Sequence, residues 1–324
     1  MDQVSLGSTG LTVGAAGLGC GGNSRLGIGY GKSEDEAAGL VEAAFDQGVT
    51  FFDTARVYGT EGAVGTAAQS IGRDRMVIAT KGMIYWKEAD IDEAAFLQNF
   101  ETSLRELKTD YVDLFSLHGI RPAYYQRARD IYLPILLREK EKGRIRHIGI
   151  TESGPADPGQ EMLSTALAED DCPWEAVMLA FHMLNQGARQ KVFPKTIEKG
   201  VGTQLMFVVR NIFSQPNLLD ETVGALMHEG NLDPARIDAK APLGFLLADG
   251  HAASLTEAAY RYARHEPGAD IVLFGTGNVA HLGANIAAIN MPPLPADDVA
   301  LLKTLFGHLS GVGLDLPHTY SKVP

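Results

Sequence analysis

Three apolar runs of this chain each end in a side chain able to move a proton or carry a charge. They are Thr50-Phe51-Phe52-Asp53, Met76-Val77-Ile78-Ala79-Thr80-Lys81 and Asp113-Leu114-Phe115-Ser116-Leu117-His118, with Tyr58 just past the first. A buried strand has no energetic reason to end this way, because an unpaired charge taken out of water costs several kcal/mol or more. Three such endings predict one shared site. Its chemistry follows from the groups themselves. A tyrosine, ordinarily near pKa ~10, becomes a useful acid and base near neutrality when a cation stabilises its phenolate. Lys81 can be that cation, Asp53 can hold Lys81, and His118 can orient a carbonyl or share in the proton transfer. A proton donor aimed at a carbonyl oxygen suits hydride addition to the carbon, since the oxygen gains charge as the hydride arrives. Taken singly, each residue has an ordinary structural explanation: a loop cap, a half-buried anchor, a solvated strand end, a core imidazole. Their coincidence at consecutive strand ends is what predicts a site.

The elements that must position these groups are eight short β-rich runs: Gly14 to Cys20, Thr50 to Ala55, Met76 to Lys81, Asp113 to His118, His147 to Glu152, Glu175 to Phe181, Gly202 to Val209 and Ile271 to Thr276. Most of the gaps between them hold a helical pattern. Ser33-Glu34-Asp35-Glu36 is a capping box that opens a helix through Ala37, Leu40, Ala44 and Phe45 to a stop at Gly48. Phe96, Phe100, Leu104 and Leu107 recur at helical spacing, and a further helix from Leu133 to Lys142 breaks at Gly143. Alternating strands and helices predict an α/β fold, one (β/α)8 TIM barrel over residues 1–324, with its site where the strands end. A doubly wound sheet ranks second, because it does not naturally bring three consecutive strand ends onto one substrate. Val4 to Gly7 and Leu11 to Val13 flank Ser8-Thr9-Gly10 as an N-terminal hairpin covering the barrel floor. After the seventh strand, residues 210–254, which include Pro216, Gly224, Gly230, Pro234 and Pro242, form a long loop expected to cover the substrate.

Gly17-Leu18-Gly19-Cys20-Gly21-Gly22 satisfies the spacing G-x-G-x-x-G, but a dinucleotide-binding turn of that kind opens directly onto a helix. Here the helix cap, Ser33, stands eleven residues beyond Gly22. These glycines, Gly19 among them, instead let a loop pass close to a ligand above the first strand. The bulk composition narrows the function classes further. With 324 residues and 45% hydrophobic side chains the chain can bury a large core. A formal charge of −12 argues against a nucleic-acid partner. The longest apolar runs fall short of the roughly 20 residues that cross a bilayer, the first residues lack the basic start and apolar core of a secretory signal, and no membrane partner is expected. Two cysteines, Cys20 and Cys172, are too few for a disulfide framework or a metal knuckle, so the cytoplasm is the expected compartment.

The run from Gly48 through Asp53, Thr54, Ala55, Tyr58, Gly59 and Glu61 to Val64-Gly65 resembles the signature of the aldo-keto reductases. Thr80-Lys81-Gly82 and Leu117-His118 match the rest of that family's Asp-Tyr-Lys-His tetrad. Gly143 to Ile150 resembles its fifth-strand motif, and Gly275-Thr276-Gly277-Asn278 with Asn285 its cofactor-clamping eighth segment. The resemblance spans about Leu6 to Ile286. It implies that Tyr58 is the general acid, that Lys81 and Asp53 tune it, that His118 positions the carbonyl, and that the cofactor is an extended nicotinamide dinucleotide. The departures fall on the cofactor side. Thr151-Glu152 stands where the family holds the carboxamide with Ser-Asn, Met178 where it has Gln, and Met206 where it has a ring-stacking aromatic, a role Phe207 can take over. A carboxylate at Glu152 can accept from the carboxamide but cannot donate to it; an ion pair with Arg210 is its alternative use. Thr276, Gly277 and the helix start at Asn278 can bind phosphate. Gly275 and His281 occupy positions where relatives place Lys and Arg, so NADP(H) is favoured by the resemblance and NAD(H) remains a rival.

Tyr85, Trp86, Tyr124 and Phe213, with Met83 and Tyr125, lie in loops that can line a pocket for a small carbonyl or sugar, or serve as packing. Three functions compete. The first is an NAD(P)H-dependent oxidoreductase acting on a carbonyl, alcohol or sugar. The second is a redox-neutral sugar epimerase or lyase that recycles a bound cofactor, and the third is a cofactor-sensing binding protein with little turnover.

Overall fold

Eight short parallel strands bury apolar side chains on both of their faces, and this two-sided burial closes them into a barrel. The computed structural model describes residues 1–215 and 217–314; Pro216 and the residues from 315 on lie outside it. Two N-terminal strands, β1 (Gln3–Ser5) and β2 (Thr12–Gly14), pair antiparallel with Val4 opposite Val13. The barrel follows as β3 (Ala16–Gly19), β4 (Phe51–Asp53), β5 (Val77–Gly82), β8 (Val112–Ile120), β9 (Ile145–Glu152), β10 (Ala176–Ala180), β11 (Gly202–Met206) and β12 (Ile271–Phe274), each strand beside its sequence neighbours and β12 closing on β3. A small hairpin, β6 (Tyr85–Trp86) with β7 (Ala89–Asp90), interrupts the loop after β5. All eight expected strands are present, at their expected places and mostly shorter at the ends.

Strand alternation sorts the side chains. Phe51, Ala79, Leu114, Ala176, Met178, Ile271 and Leu273 fill the barrel interior, while Phe52, Ile78, Phe115, Leu117, Leu179 and Leu205 face the surrounding helices. By the same parity Asp53, Lys81 and His118 point inward, each near the C-terminal end of its strand. The N-terminal hairpin is a floor: Leu6 and Val13, both fully buried, complete the interior cluster from below. The first barrel helix runs Glu34–Asp46 under the expected capping box, with Ser33 and Glu36 bonded reciprocally. The helix Glu93–Glu106 buries Phe96, Phe100 and Leu104, and the helix Leu133–Glu141 stops before Gly143, whose φ is +75°.

Two expectations are corrected. The seventh strand ends at Met206 rather than Val209, because Phe207 takes a left-handed φ of +64°, which breaks the pairing. The segment 210–254 is not a bare loop: it contains an eleven-residue helix, Leu218–His228, that buries Leu219 and Val223. Leu219, Val223, Leu226 and Met227 recur at helical spacing, a signal masked in the sequence by the glycines and prolines around it. Among the described residues, no helix is long and apolar enough to cross a membrane.

Candidate active site

Asp53 is the last residue of β4, and Lys81 stands one residue before the end of the adjacent β5. Asp53 pairs in register with Ala79, two positions before Lys81. Nζ of Lys81 lies 2.7 and 2.8 Å from the two carboxylate oxygens of Asp53 and donates to the backbone oxygen of Thr54 at 2.9 Å. Both residues are almost fully buried, at 4% and 1% exposure. Burial pushes the Asp53 carboxyl upward, and the Lys81 ammonium pulls against it. Neither charge has a reason to be there without the other.

Tyr58 closes a short 3-10 turn, Arg56–Tyr58, that ends on Gly59 at φ +66°. Its ring is held from the other side by the backbone of the loop after β3, where a Cβ on Gly21 would sit 2.7 Å from the ring. The glycine-rich run therefore passes close to the tyrosine, and only a residue without a side chain fits there. Lys81 Nζ stands 4.9 Å from the Tyr58 ring centroid. The Tyr58 hydroxyl is 3.3 Å from Nε2 of His118, with the two rings edge to face at 5.5 Å. Surrounding protein and the Lys81 charge push the His118 imidazole down to about 3, so at neutral pH it is uncharged. The four residues expected from the sequence thus stand together at one end of the barrel.

Beneath them lies support that sequence reasoning missed. Glu61, fully buried at the start of the helix Glu61–Ile71, accepts from Thr80 Oγ1 at 2.5 Å, and burial lifts its carboxyl to about 7. Thr54 and Thr60 hydroxyls meet at 2.8 Å. A buried acid three residues after a signature tyrosine carries no periodic or spacing signal of its own.

The cofactor-side residues are arranged differently. Thr151 Oγ1 accepts from Gly119 N at 2.7 Å, next to His118. Glu152 accepts from Ala180 N at 2.7 Å and from Gln160 Nε2 at 3.1 Å, and burial lifts it to about 8. These bonds, rather than an ion pair with Arg210, hold it: its parity places it with Ile148 and Ile150, facing away from the barrel interior. Met178 and Met206 line the interior. Phe207 carries the Arg210 guanidinium over its ring at 4.6 Å. At the eighth strand, a Cβ on Gly275 would come within 3.4 Å of Gly19 O, and one on Gly277 within 2.8 Å of Gly27 Cα, so the first and eighth loops touch through backbone. Thr276 Oγ1 accepts from Asn278 N, and Asn278 Oδ1 caps Ala280 N at the start of the helix Val279–Ile289. His281 is exposed and Asn285, one turn on, half-buried. The residue missed on this side is Gln204, buried in β11.

Of the aromatic residues expected near a substrate, Tyr85 and Tyr124 stack on each other at 4.0 Å. Tyr85 donates to Gly119 O and Tyr124 to Glu88. Trp86 is half-buried with no acceptor for its indole N–H among the described residues. Phe213 packs edge-on to His182 at 5.3 Å.

The chain is similar to several known proteins. Aldo-keto reductase YhdN of Bacillus subtilis is 26% identical over 303 residues, covering 88% of this chain and 87% of the relative. L-galactose dehydrogenase of Arabidopsis thaliana is 35% identical over 153 residues, 45% of this chain and 47% of the relative. Among solved structures, aldo-keto reductase AKR11C1 of Bacillus halodurans in its holo form superposes with a TM-score of 0.74 at 21% identity, over 97% of this chain and all of that one. The thermostable aldo-keto reductase Tm1743, in complex with the inhibitor epalrestat, gives 0.69 at 20% identity, over 94% and 99%. These two likenesses concern the fold. The sequence model of the aldo/keto reductase family, whose members are NAD(P)H-dependent oxidoreductases, matches residues 13–306, and the chain belongs to that family.

Proposed function

We propose that this chain reduces a small aldehyde, ketone or aldose with NAD(P)H, reversibly, with Tyr58 as its general acid and base. The observation that carries the reading is the Tyr58 hydroxyl 3.3 Å from His118 Nε2 while the Asp53-bound ammonium of Lys81 stands against the same ring. The residues fit a dinucleotide. The backbone contact of Gly27 with Gly277 brings the first and eighth loops together at the start of the helix Val279–Ile289, and a helix start, here capped by Asn278, favours the negative charge of a phosphate. Thr276, Asn278, His281 and Asn285 would hold the adenosine-phosphate end, with Gly19, Gly275 and Arg210 along the way and Thr151, Met206 and Phe207 near the nicotinamide.

When bound, the reduced nicotinamide supplies a hydride to the carbonyl carbon. The protein's own part is at the oxygen. Tyr58 donates its proton there, and the Lys81 ammonium stabilises the phenolate left behind. Asp53 keeps Lys81 aimed at Tyr58 and offsets its charge. His118, held neutral, offers a hydrogen bond to the carbonyl oxygen without competing as an acid. In the reverse direction the phenolate takes the proton from an alcohol. The similarity to L-galactose dehydrogenase over 45% of the chain supports testing aldoses beside simple aldehydes and ketones.

No Lys or Arg stands at Gly275 or His281 to grip a 2′-phosphate, so both coenzymes should bind, with NADPH ahead by less than about tenfold. Titrating each by quenching of tryptophan and tyrosine fluorescence tests this. Micromolar binding of either supports the reading. Binding of neither below about 1 mM, a free energy of only about −4.1 kcal/mol, overturns it.

A further inference from the structure

β11 points three residues into the barrel: Gly202, Gln204 and Met206. A Cβ on Gly202 would meet Leu6 Cδ1, part of the floor, at 2.6 Å, and Met206 packs on the interior cluster. The residues between them face outward, Thr203 bonding Gly268 O and Leu205 joining the helix-side core. Gln204 therefore projects into an interior whose nearest neighbours in register are Met178 and Ile271. It is 1% exposed, and neither Nε2 nor Oε1 has a hydrogen-bond partner among the described residues. Leaving a buried donor and a buried acceptor unpaired costs about 1–3 kcal/mol each, which a leucine at this position would not incur.

The position says what could satisfy it. The register row runs from Gln204 through Met178 to Thr151, and Thr151 is bonded to Gly119, the neighbour of His118. β11 ends two residues later, so Gln204 lies about 7 Å along the strand below the barrel mouth. A group reaching it from the mouth must offer one acceptor and one donor side by side. A primary amide does so, pairing with another through two reciprocal N–H···O bonds. Beside Gln204, Glu152 accepts from Ala180 N and Gln160, and Thr151 from Gly119 N, while the other unpartnered atoms of this half, His182 Nε2 and Gln160 Oε1, lie outside the register row of Gln204.

Resting on the reductase reading above, we propose that Gln204 binds the carboxamide of the nicotinamide cofactor. Nε2 donates to the carboxamide oxygen, and Oε1 accepts from the carboxamide NH2. Gln204 is thus a cofactor-binding residue on the seventh barrel strand. It fixes the rotation of the nicotinamide ring, and with it the face presented to substrate.

The test compares two dinucleotides in two proteins by fluorescence titration: whichever of NADPH and NADH binds, and its 3-acetylpyridine analogue, in which a methyl ketone replaces the carboxamide. Gln204→Leu should weaken the natural coenzyme by roughly 10- to 100-fold, the equivalent of two net hydrogen bonds. It should change the analogue, which has lost the N–H donors, distinctly less, and the ligand-free variant should melt no lower than wild type. Equal weakening of both dinucleotides overturns the proposal, and so does a natural-coenzyme dissociation constant within twofold of wild type, which would leave Gln204 holding only trapped water. Wild type binding neither natural coenzyme overturns the reductase reading itself and this inference with it. Should Gln204→Leu fail to fold, Gln204→Met, which keeps the chain length, carries the same comparison.

Discussion

On the side of the mouth built from β4, β5 and β8, each polar group has a partner inside the protein, Lys81 with Asp53 and Thr54, Tyr58 with His118, Glu61 with Thr80, although His118 Nδ1 and Glu61 Oε2 have none among the described residues. On the side built from β9, β10 and β11, the inward positions are Thr151, Met178, Gln204 and Met206, and the amide of Gln204 is paired with nothing among the described residues. The first side is organised before any ligand arrives, and its charges hold their geometry through each other. The second is a largely apolar wall with one amide left open. On the function proposed above, the difference separates a reaction centre, whose groups must be aimed in advance, from a binding surface, whose polar group can wait for its ligand.

The comparison breaks most visibly at Tyr58. Tyr58→Phe should lower kcat by about 10²- to 10⁴-fold, the usual share of general acid–base catalysis, while coenzyme affinity stays within about twofold. Steady-state rates beside a fluorescence titration check this; near-normal turnover would remove Tyr58 from its role. Lys81→Met attacks the same side through stability, leaving the Asp53 carboxyl buried without its partner. Urea denaturation should show a loss of about 3–5 kcal/mol, whereas Gln204→Leu on the opposite side should show none. Equal losses at both positions would erase the contrast between a paired and an open half.

A smaller effect sharpens the comparison at Glu152. Its folded carboxyl sits at about 8 against an ordinary 4.5, so between those values the folded protein binds more protons than the unfolded one. The stability it contributes is complete below pH 4.5 and is lost as pH rises toward 8, at no more than about 1.4 kcal/mol per pH unit. Glu152→Gln, which cannot ionise, should lack that slope and gain on wild type progressively as pH rises. Denaturation curves taken between pH 4.5 and pH 8 measure it, and parallel pH profiles for the two proteins would mean that folding does not raise the Glu152 carboxyl.

Much of the catalytic side was legible because each of its groups ends a short apolar run, and strand alternation aims Asp53, Lys81 and His118 the same way. The capping box at Ser33 and the late start of the first helix were legible for a similar reason, since both rest on bonds between residues a few positions apart. Contacts across the barrel were not. Gln204 sits in a run that reads as an ordinary strand, and nothing local says that no partner reaches it. Glu152 looked like a partner for Arg210, yet the bonds it makes come from Ala180 and Gln160, on the next strand and at the start of the following helix. The helix Leu218–His228 was hidden by its glycine- and proline-bearing surroundings, and Gly21 only acquires a purpose once the Tyr58 ring lies against it.

By itself the sequence determined the eight-strand alternation, the floor hairpin and the four residues that meet in the proposed reaction centre, because periodicity and strand-end position are properties of a few consecutive residues. Only the tertiary structure decided that Lys81 is neutralised by Asp53, that His118 is held uncharged beside Tyr58, and that Gln204 is left without a partner among the described residues. Those are consequences of how much water is excluded and which atoms meet across strands, and both are set by closing the barrel rather than by any segment of it.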